Sequence, residues 1–213
     1  MKTIQRNTPP GCLSKQHNNQ PWGDFARTSC HTETRKSLFQ EQCGLCCYCE
    51  SPVNDGDGHI EHIEPRKKNQ NKKYDYANLA LSCNGGKAQH DGKAKHCGHF
   101  KDAPHNHDFT WDPDKFSYPH DSETCSLFSY DNLGHINPTT LNPDKAWYMI
   151  GYLGLDCSRL VQRRHSYACL LIDTLNAEPD PKTVNELREL YLSLDKKGYL
   201  QQFYSLSKAI LEP

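Results

Sequence analysis

The chain has 213 residues, 24% charged side chains and a mean hydropathy of −0.87, a composition typical of a protein that folds in water. No apolar run approaches the roughly 18 residues that a membrane-spanning helix needs, and residues 1–7 lack the apolar stretch of a secretory signal peptide. These features argue against a membrane protein and predict a cytoplasmic location. The eleven cysteines are therefore expected to be free thiols or metal ligands, not disulfides.

The net charge of −1 argues against a protein that coats nucleic acid, but the charge is unevenly distributed. Residues 59–101 contain nine Lys or Arg and four acidic residues, a net charge of +5, which leaves −6 for the rest of the chain. Such a basic segment suits a substrate that carries phosphate groups. A solvated lysine-rich loop is the alternative interpretation of residues 66–73.

The first quarter of the chain predicts an arm followed by a helix. Residues 1–27 are polar and contain several Pro and Gly residues, which indicates an irregular arm that Trp22 and Phe25 attach to the rest of the protein. A helix is predicted at residues 28–42. The residues that could cap its N-terminus are Thr32 and Thr34.

The next segment predicts a turn, a strand and a loop. Residues 54–58 are all Asn, Asp or Gly, which is a strong turn signal. A short strand is predicted directly afterwards, at residues 59–63, with side chains that alternate between two faces. Residues 84–107 have little apolar content and are expected to form a loop.

The second half of the chain predicts a hairpin followed by helices. Residues 127–136 surround an Asp-Asn-Leu-Gly turn, which is typical of a hairpin. Asn142, Pro143 and Asp144 predict a helix start, since they supply a cap, a proline at the first helical position and an acid at the positive end of the helix dipole. Three apolar helical faces follow. Their residues are Leu160, Tyr167, Leu171 and Leu175, then Val184, Leu187, Tyr191 and Leu194, then Leu200, Phe203 and Ile210.

Four cysteines have the spacing of a structural zinc site. Cys46 and Cys49 are separated by two residues, which lets two thiolates on a tight turn reach one ion. Cys83 and Cys97 would complete a site of four thiolates. Alternatives for the first pair are Cys43 and Cys47, of which Cys47 is expected to pack inward. The remaining cysteines have no partner at ligand spacing and are expected to be buried thiols: Cys12, Cys30, Cys125, Cys157 and Cys169.

Residues near these cysteines could hydrolyse a phosphodiester bond, which requires a base for the attacking water and positive charge near the phosphate. His62 could be the base and Glu61 a ligand of a divalent ion, for which Mg²⁺ or Mn²⁺ suits a mixture of oxygen and imidazole ligands. Because neighbours on a regular strand point to opposite faces, the strand must bend at this pair or the ion must lie at its end. Asn78 is expected to hold the loop that carries His62 by a hydrogen bond. His99 is the preferred second ligand of the ion, and Asn84 is its competitor.

Two segments resemble the HNH endonuclease motif. Residues 61–65, Glu-His-Ile-Glu-Pro, resemble its first half, and residues 78–83, Asn-Leu-Ala-Leu-Ser-Cys, resemble its central segment. More narrowly, the chain is similar to the PtuB family, the HNH nuclease subunits of Septu-type and retron-associated anti-phage systems. The segments that carry this narrower similarity are residues 46–50, 59–62, 76–79 and 96–101.

The resemblance implies an α+β fold in which a small zinc-stabilised ββα-metal core is embedded in a mainly helical frame. By position, His62 matches the general base, Glu61 the acidic ligand and Asn78 the middle Asn of the motif. The third motif residue is normally an Asn or His directly after the last cysteine, but here that position is Gly98, with His99 one residue later. The predicted organisation is an N-terminal arm and helix at residues 1–42, the nuclease core at residues 43–108, and a hairpin with a helical, partner-binding body at residues 109–213.

The resemblance also implies partners. The family's nuclease works with PtuA, an ABC/SMC-like ATPase, and in retron systems a reverse transcriptase and its RNA–DNA product restrain the assembly. The leading interpretation is therefore a metal-dependent endonuclease that is the effector subunit of an anti-phage complex. A non-catalytic zinc-binding adaptor of an ATPase complex is the alternative. The sequence leaves open whether the substrate is DNA or an RNA such as tRNA.

Overall fold

The structure is a computed structural model that describes residues 1–53, 58–85, 95–103, 109–177 and 180–212. It is the mixed helix-and-sheet fold expected from the sequence, and none of the helices in the described ranges is long and apolar enough to cross a membrane. The helices are α1 (Trp22–Phe25), α2 (Ser29–Glu41), α3 (Cys97–Lys101), α4 (Pro143–Leu153), α5 (Ser158–Ala177), α6 (Pro181–Leu192) and α7 (Tyr204–Leu211). The strands are β1 (His59–His62), β2 (Leu79–Ser82), β3 (Phe128–Tyr130) and β4 (Ile136–Pro138).

Strands β1 and β2 form an antiparallel hairpin that carries the predicted catalytic residues. The register pairs Glu61 with Ala80 and His62 with Leu79, so these two residues occupy the last two positions of β1. All four residues of β2 are buried, and the strand packs against α2. The hairpin is therefore a fixed platform whose edge presents Glu61 and His62.

The predictions for this segment are confirmed in part. The strand predicted at residues 59–63 is β1, one residue shorter. Of the turn predicted at residues 54–58, only Gly58 lies within the described residues, and it has a φ of 81°, which glycine adopts without steric cost. The loop predicted at residues 84–107 is described only in part, and its described portion contains α3.

Helix α2 begins earlier than the predicted caps suggested. Thr28 is the N-cap, because its side-chain oxygen accepts a hydrogen bond from the backbone N–H of His31 at 3.2 Å. The prediction that Thr32 or Thr34 caps this helix was wrong. Thr34 lies inside the helix, where its hydroxyl donates to the carbonyl of Cys30 at 2.8 Å, a common use of a threonine hydroxyl within a helix.

Gln42 joins the end of α2 to the hairpin. Its Nε2 donates to the carbonyls of Leu45 at 2.7 Å and Leu81 at 2.8 Å, and its Oε1 accepts from the N–H of Leu81 at 2.7 Å. A buried amide is stable only when its polar atoms are paired in this way. The helix, the start of the cysteine segment and β2 are therefore fixed to one another.

The second half of the chain forms the predicted hairpin and helices. Strands β3 and β4 pair antiparallel. Helix α4 begins as predicted, with the Asn142 side chain accepting from the N–H of Lys145 at 3.1 Å and Pro143 at the first helical position. It ends at Gly154, whose φ of 60° is a left-handed conformation that favours glycine at a helix terminus.

Helices α5 and α7 pack on each other through the predicted apolar faces. Tyr167 and Leu171 of α5 are buried with Leu206 of α7 and with Phe203. The prediction of the last helix was right in kind but not in extent, because α7 begins at Tyr204 and Leu200 and Phe203 therefore precede it. Most of the apolar side chains of these helices therefore pack against one another.

Glu50 ties the helical body to the cysteine segment. Its carboxylate accepts hydrogen bonds from the backbone N–H of Ser205 at 2.8 Å and from the Ser205 hydroxyl at 2.6 Å. Its carbonyl accepts from the N–H of Phe203 at 3.0 Å. Because Glu50 directly follows Cys49, the start of α7 is anchored to the residue next to a predicted zinc ligand.

Cys12 and Cys30 form a disulfide bond, which corrects the expectation that all eleven cysteines are thiols. That expectation rested on the predicted cytoplasmic location and on the lack of a partner at ligand spacing, whereas this bond joins residues that meet because the arm folds against α2. The closed segment contains α1, whose Phe25 is fully buried and whose Trp22 contacts the His62 ring, with ring centroids 4.3 Å apart. The free cysteines outside the predicted zinc site are Cys43, Cys47, Cys125, Cys157 and Cys169.

Replacing both Cys12 and Cys30 with Ala should lower the free energy of unfolding by roughly 3 kcal/mol, because the bond restricts the unfolded chain across a sequence separation of 18. The measurement is urea unfolding without reductant, with the exposed free thiol variant Cys125→Ala as the control. Reductant should destabilise the wild type and leave the double variant unchanged. Equal unfolding midpoints for wild type and double variant would contradict the prediction.

Candidate active site and zinc-binding cluster

The structure brings the four predicted cysteines together, and we call them the cysteine cluster: Cys46, Cys49, Cys83 and Cys97. Their sulfur atoms all lie within 4.8 Å of one another. The Sγ atoms of Cys46 and Cys97 are 3.8 Å apart, and those of Cys49 and Cys83 are 3.7 Å apart. The cluster joins the segment before β1, the end of β2 and the first residue of α3. Three distant parts of the chain therefore meet at one point.

Local backbone geometry turns the first pair of thiols toward the same point. The N–H of Cys46 donates to the carbonyl of Ser51 at 2.8 Å, and the N–H of Glu50 donates to the carbonyl of Cys46 at 3.2 Å. Glu50 has a φ of 60°, which closes the turn tightly. The N–H of Cys83 then donates to the Cys46 sulfur at 3.3 Å, as backbone amides commonly do to thiolate ligands.

The donor set fits a zinc ion. Four thiolates in a buried cluster are the ligands of structural zinc sites, and Cys97 has a φ of 61°, a conformation that costs a non-glycine residue about 1 kcal/mol and that ligation would offset. Burial alone would raise the pKa of Cys46, but hydrogen bonds from the neighbouring thiols lower that pKa well below its usual value. Zinc bound there would connect α3 to the hairpin.

Cys47 and His96 lie next to the cysteine cluster but are not part of it. Cys47 is buried beside it, but its sulfur is not among the four that lie within 4.8 Å of one another. His96 lies outside the four, with its Nδ1 3.2 Å from the Cys97 sulfur. The choice of Cys46 and Cys49 over Cys43 and Cys47 as the first pair therefore agrees with the geometry.

Glu61 is a buried carboxylate that is held in its charged form. Its side chain lies 3.0 Å from the Lys101 ammonium and 3.2 Å from the Nε2 of His59, and it accepts a hydrogen bond from the Tyr48 hydroxyl at 3.3 Å. Burial alone would raise the pKa of Glu61, but Lys101 and His59 together lower it to about 2. A carboxylate that stays ionised at neutral pH is what a metal ligand requires.

His59 lies beside Glu61 and the His99 ring lies against the His59 ring, and the sequence analysis does not single out His59. Their ring centroids are 4.3 Å apart, and residues 59 and 61 face the same side of β1 because strand side chains alternate. That alternation was the signal in the sequence that could have identified His59. Gly98 allows the close approach, since a Cβ there would lie 2.8 Å from the Glu61 Cδ and 2.9 Å from the His59 Nε2.

These three side chains offer donor atoms for a divalent ion, although among the described residues the cysteine cluster is the one group of three or more such side chains whose ligand atoms lie within 4.8 Å of one another. One carboxylate and two imidazoles are a suitable donor set for a divalent ion. Among the described residues, the Nδ1 atom of His59 is buried without a hydrogen-bond partner, which leaves an imidazole nitrogen open to a ligand. Asn84, the competitor of His99, is half-buried directly after β2.

His62 is the last residue of β1 and faces away from Glu61. Its Nε2 lies 3.0 Å from the carbonyl of Lys73, and the Trp22 ring meets it edge-on. Because a carbonyl only accepts, Nε2 carries the proton and Nδ1 keeps its lone pair. Burial lowers the pKa of His62 to about 4. The pairing of β1 with β2 is regular through both residues, so Glu61 and His62 leave the strand on opposite faces.

Asn78 makes the predicted hydrogen bonds to the loop after His62. Its Oδ1 accepts from the N–H of Glu64 at 2.7 Å, and its Nδ2 donates to the carbonyls of Glu64 and Lys72, both at 3.1 Å. Lys72 precedes Lys73, whose carbonyl holds the His62 ring. A single buried amide therefore fixes both sides of the predicted base.

The basic residues of the segment at 59–101 divide into two groups. Lys101 is buried between Glu61 and Asp102, Lys72 pairs with Glu64 at 2.8 Å, and Lys73 donates to the carbonyl of Gln20 at 2.7 Å. These cations serve the fold. The exposed cations are Arg66, Lys67 and Lys68, directly after the loop that follows His62. Of the other three, Lys95 is half-buried, whereas Lys87 and Lys93 lie outside the described residues, as do His90, His105 and His107.

Replacing Cys97 with Ser should remove zinc and unfold the region around α3, because thiolate ligation contributes directly to folding. Cys47→Ala is the matched control, since Cys47 is buried in the same segment but lies outside the cysteine cluster. Metal analysis should find about one zinc per chain in the wild type and the control. Retention of that zinc by Cys97→Ser, with an unchanged thermal midpoint, would rule out the cluster as a structural zinc site.

Asn78→Ala should lower the free energy of unfolding by about 1–3 kcal/mol, because it leaves the buried N–H of Glu64 and two carbonyls without their partner. Any hydrolytic activity should fall as well, since His62 loses its positioning. Asn71→Ala, at an exposed asparagine of the same segment, is the control for chemical denaturation. Equal stability of the two variants would show that the Asn78 amide does not hold this loop.

Comparison with known proteins identifies the domain around this site. Residues 46–85 match the family model of the HNH endonuclease, a range that includes three of the four clustered cysteines, both residues at the end of β1, and Asn78. No curated protein matches the chain. The geometry and the family match agree that the chain contains an HNH endonuclease domain at residues 46–85.

Proposed function

We propose that the protein is a metal-dependent endonuclease that hydrolyses phosphodiester bonds in nucleic acid, with His62 as the general base. The observation that carries the proposal is the environment of His62 within the HNH domain. Its imidazole is neutral, its Nε2–H is held by the Lys73 carbonyl at 3.0 Å, and its pKa is about 4. A neutral imidazole of fixed tautomer is suited to accept a proton from water.

The residues around His62 divide the chemical work between two faces of β1. His62 takes the proton of the attacking water on Nδ1. On the other face, Glu61, His99 and His59 would hold Mg²⁺ or Mn²⁺, which when bound supplies positive charge to the phosphate oxygens and the departing oxygen. Lys101 keeps the Glu61 carboxylate ionised and also donates to the carbonyl of His62 at 3.1 Å. In this proposal zinc in the cysteine cluster is structural and takes no part in the reaction.

His62→Ala should lower the cleavage rate by about 10²–10⁴ without loss of fold or zinc, which is the typical cost of losing a general base. The assay compares labelled DNA and total RNA as substrates, with His135→Ala, an exposed histidine paired with Asp156, as the control. In the wild type, activity should persist as the pH falls through the ordinary histidine pKa of about 6.5 and be lost near pH 4, where His62 becomes protonated. Full activity of His62→Ala would rule out His62 as the general base, whereas the absence of cleavage by the wild type would favour the non-catalytic adaptor.

We further propose that this nuclease is the effector subunit of an anti-phage defence complex with an ABC/SMC-type ATPase, as the similarity to the PtuB family implies. A reverse transcriptase with its RNA–DNA product would restrain the complex in a retron system. Exposed leucines on the helical body support a protein partner, because most of its other apolar side chains pack together. These leucines are Leu170, Leu190 and Leu194, which are 57%, 56% and 57% exposed.

Leu190→Glu and Leu170→Glu should each weaken co-purification with the ATPase while leaving the thermal midpoint unchanged, since a charge on an exposed position costs the free protein little. Leu133→Glu is the control, because Leu133 is 63% exposed but lies in the turn between β3 and β4. Retained co-purification by both helix variants would remove these positions from the interface. A monomer that is stable and fully active without any ATPase would contradict the proposed complex.

A further inference from the structure

A cavity of about 350 Å³ opens beside the predicted base. Its volume lies within the range of small-molecule binding pockets. Three aromatic side chains, Phe109, Trp111 and Tyr152, form part of the wall, and the exposed cations Arg66, Lys67 and Lys68 form another part. The three cations lie within residues 46–85, whereas the three aromatic residues lie outside this range. The cavity therefore combines the HNH domain with the segment that follows it.

The cavity is contiguous with the proposed active site. Lys101 lines it and donates to the His62 carbonyl at 3.1 Å, while Pro65, also in the wall, is three residues after His62. The Arg66 guanidinium lies over the Trp22 ring at 5.7 Å, and that ring contacts His62. A group bound in the cavity would consequently lie close to the residues that flank His62, the predicted base for the water that attacks the phosphate.

The aromatic wall is held in place before any ligand binds. The Trp111 ring packs against Phe116, with centroids 4.9 Å apart, and against Tyr152 at 6.1 Å. Phe109 lies against α4 where Gly151 has no side chain, since a Cβ at Gly151 would overlap the Phe109 ring. Binding a flat ligand here would cost little side-chain entropy, because these rings are already ordered.

The charged residues in the wall of this cavity favour a ligand that carries phosphate. The wall of the cavity carries one acidic residue, Asp102, and four cations, which are Arg66, Lys67, Lys68 and Lys101. The adjoining cavity shares Phe109 and contains Trp147, but its charged residues are Asp112, Asp144 and Lys115, a balance that would repel a phosphodiester. Aromatic rings beside a basic rim are the recurrent way in which proteins bind single-stranded nucleic acid.

We propose that this cavity binds an unpaired nucleobase of the strand being cut, stacked on Trp111 and Phe109, with the adjacent phosphates on Arg66, Lys67 and Lys68. The proposal rests on the proposed endonuclease function. Stacking requires a free face of the base, which a base inside a duplex does not offer. The substrate class would then be single-stranded nucleic acid, or a duplex with an unpaired nucleotide next to the cut.

Binding can be tested with full-length His62→Ala protein, which holds the nucleic acid without cutting it. The probe is 2-aminopurine, a fluorescent base, placed in an oligonucleotide as a single strand, a full duplex or a duplex with one unpaired position. Stacking on the protein should quench the fluorescence of the single strand and of the duplex with one unpaired position. If protein binding left the fluorescence of the single strand and of the unpaired position unchanged, the proposal would be overturned without any substitution in the cavity.

Trp111→Leu and Phe109→Leu, each in the His62→Ala protein, should weaken binding of the unpaired oligonucleotides about 5- to 100-fold and leave duplex binding unchanged, which is the usual effect of losing one stacking ring. Trp147→Leu, in the adjoining cavity, is the matched control and should bind like its parent. Lys67→Ala should weaken all three nucleic acids alike and reduce the salt dependence, whereas Lys115→Ala should not. Equal losses on paired and unpaired nucleic acid for the ring variants would contradict the proposal.

The outcome for the cavity is separable from that for the nuclease. Cleavage by the wild type that is lost in His62→Ala would support the endonuclease whatever the ring variants do. If the wild type then cut duplex and single strand at equal rates, the cavity proposal alone would fail. Preference for unpaired substrate that is lost in Trp111→Leu, while slow duplex cutting persists, is the expected result.

Discussion

The cysteine cluster is the constraint on which the site depends. The hairpin of β1 and β2 is short, and α3 has only five residues, so neither element has enough apolar surface to fix the other. Zinc bound to the cluster would do this by joining Cys46, Cys83 and Cys97, whose sulfur atoms lie within 4.8 Å together with that of Cys49. Once α3 is attached there, Lys101 reaches Glu61 and the ring of His99 reaches His59. The electrostatics of Glu61 therefore follow from thiols that never contact it.

Burial has opposite consequences for the two neighbours at the end of β1. Glu61 is 1% exposed and His62 is 6% exposed, yet the first is held charged and the second neutral. The difference lies in their partners, because Glu61 faces an ammonium whereas His62 faces a carbonyl and an aromatic ring. The alternation of side chains along a strand makes this possible in adjacent residues. A metal ligand needs a charged carboxylate and a general base needs a neutral imidazole. The edge of the hairpin provides both states in two adjacent residues.

The sequence predicted the features that depend on local pattern. The spacing of Cys46 and Cys49, the strand at 59–63 and the cap at Asn142 are each encoded within a few residues, and the structure has them. What it could not predict depends on contacts between distant segments. The bond between Cys12 and Cys30 arises from the docking of the arm, and the wall of Phe109, Trp111 and Tyr152 from the packing of α4. His59 is an intermediate case. Strand alternation places it beside Glu61, but its contact with the His99 ring depends on the position of α3.

The departure from the HNH pattern after the last cysteine has a steric explanation. The general pattern places Asn or His at the position that Gly98 occupies, but here a Cβ at that position would lie 2.8 Å from the Glu61 carboxyl carbon and 2.9 Å from the His59 ring. Real Cβ atoms do not approach other atoms so closely without a shift of the neighbours. A side chain at position 98 would therefore displace the Glu61 carboxylate. A larger residue there would also require the His59 side chain to move, and the chain has its imidazole one residue later, at His99.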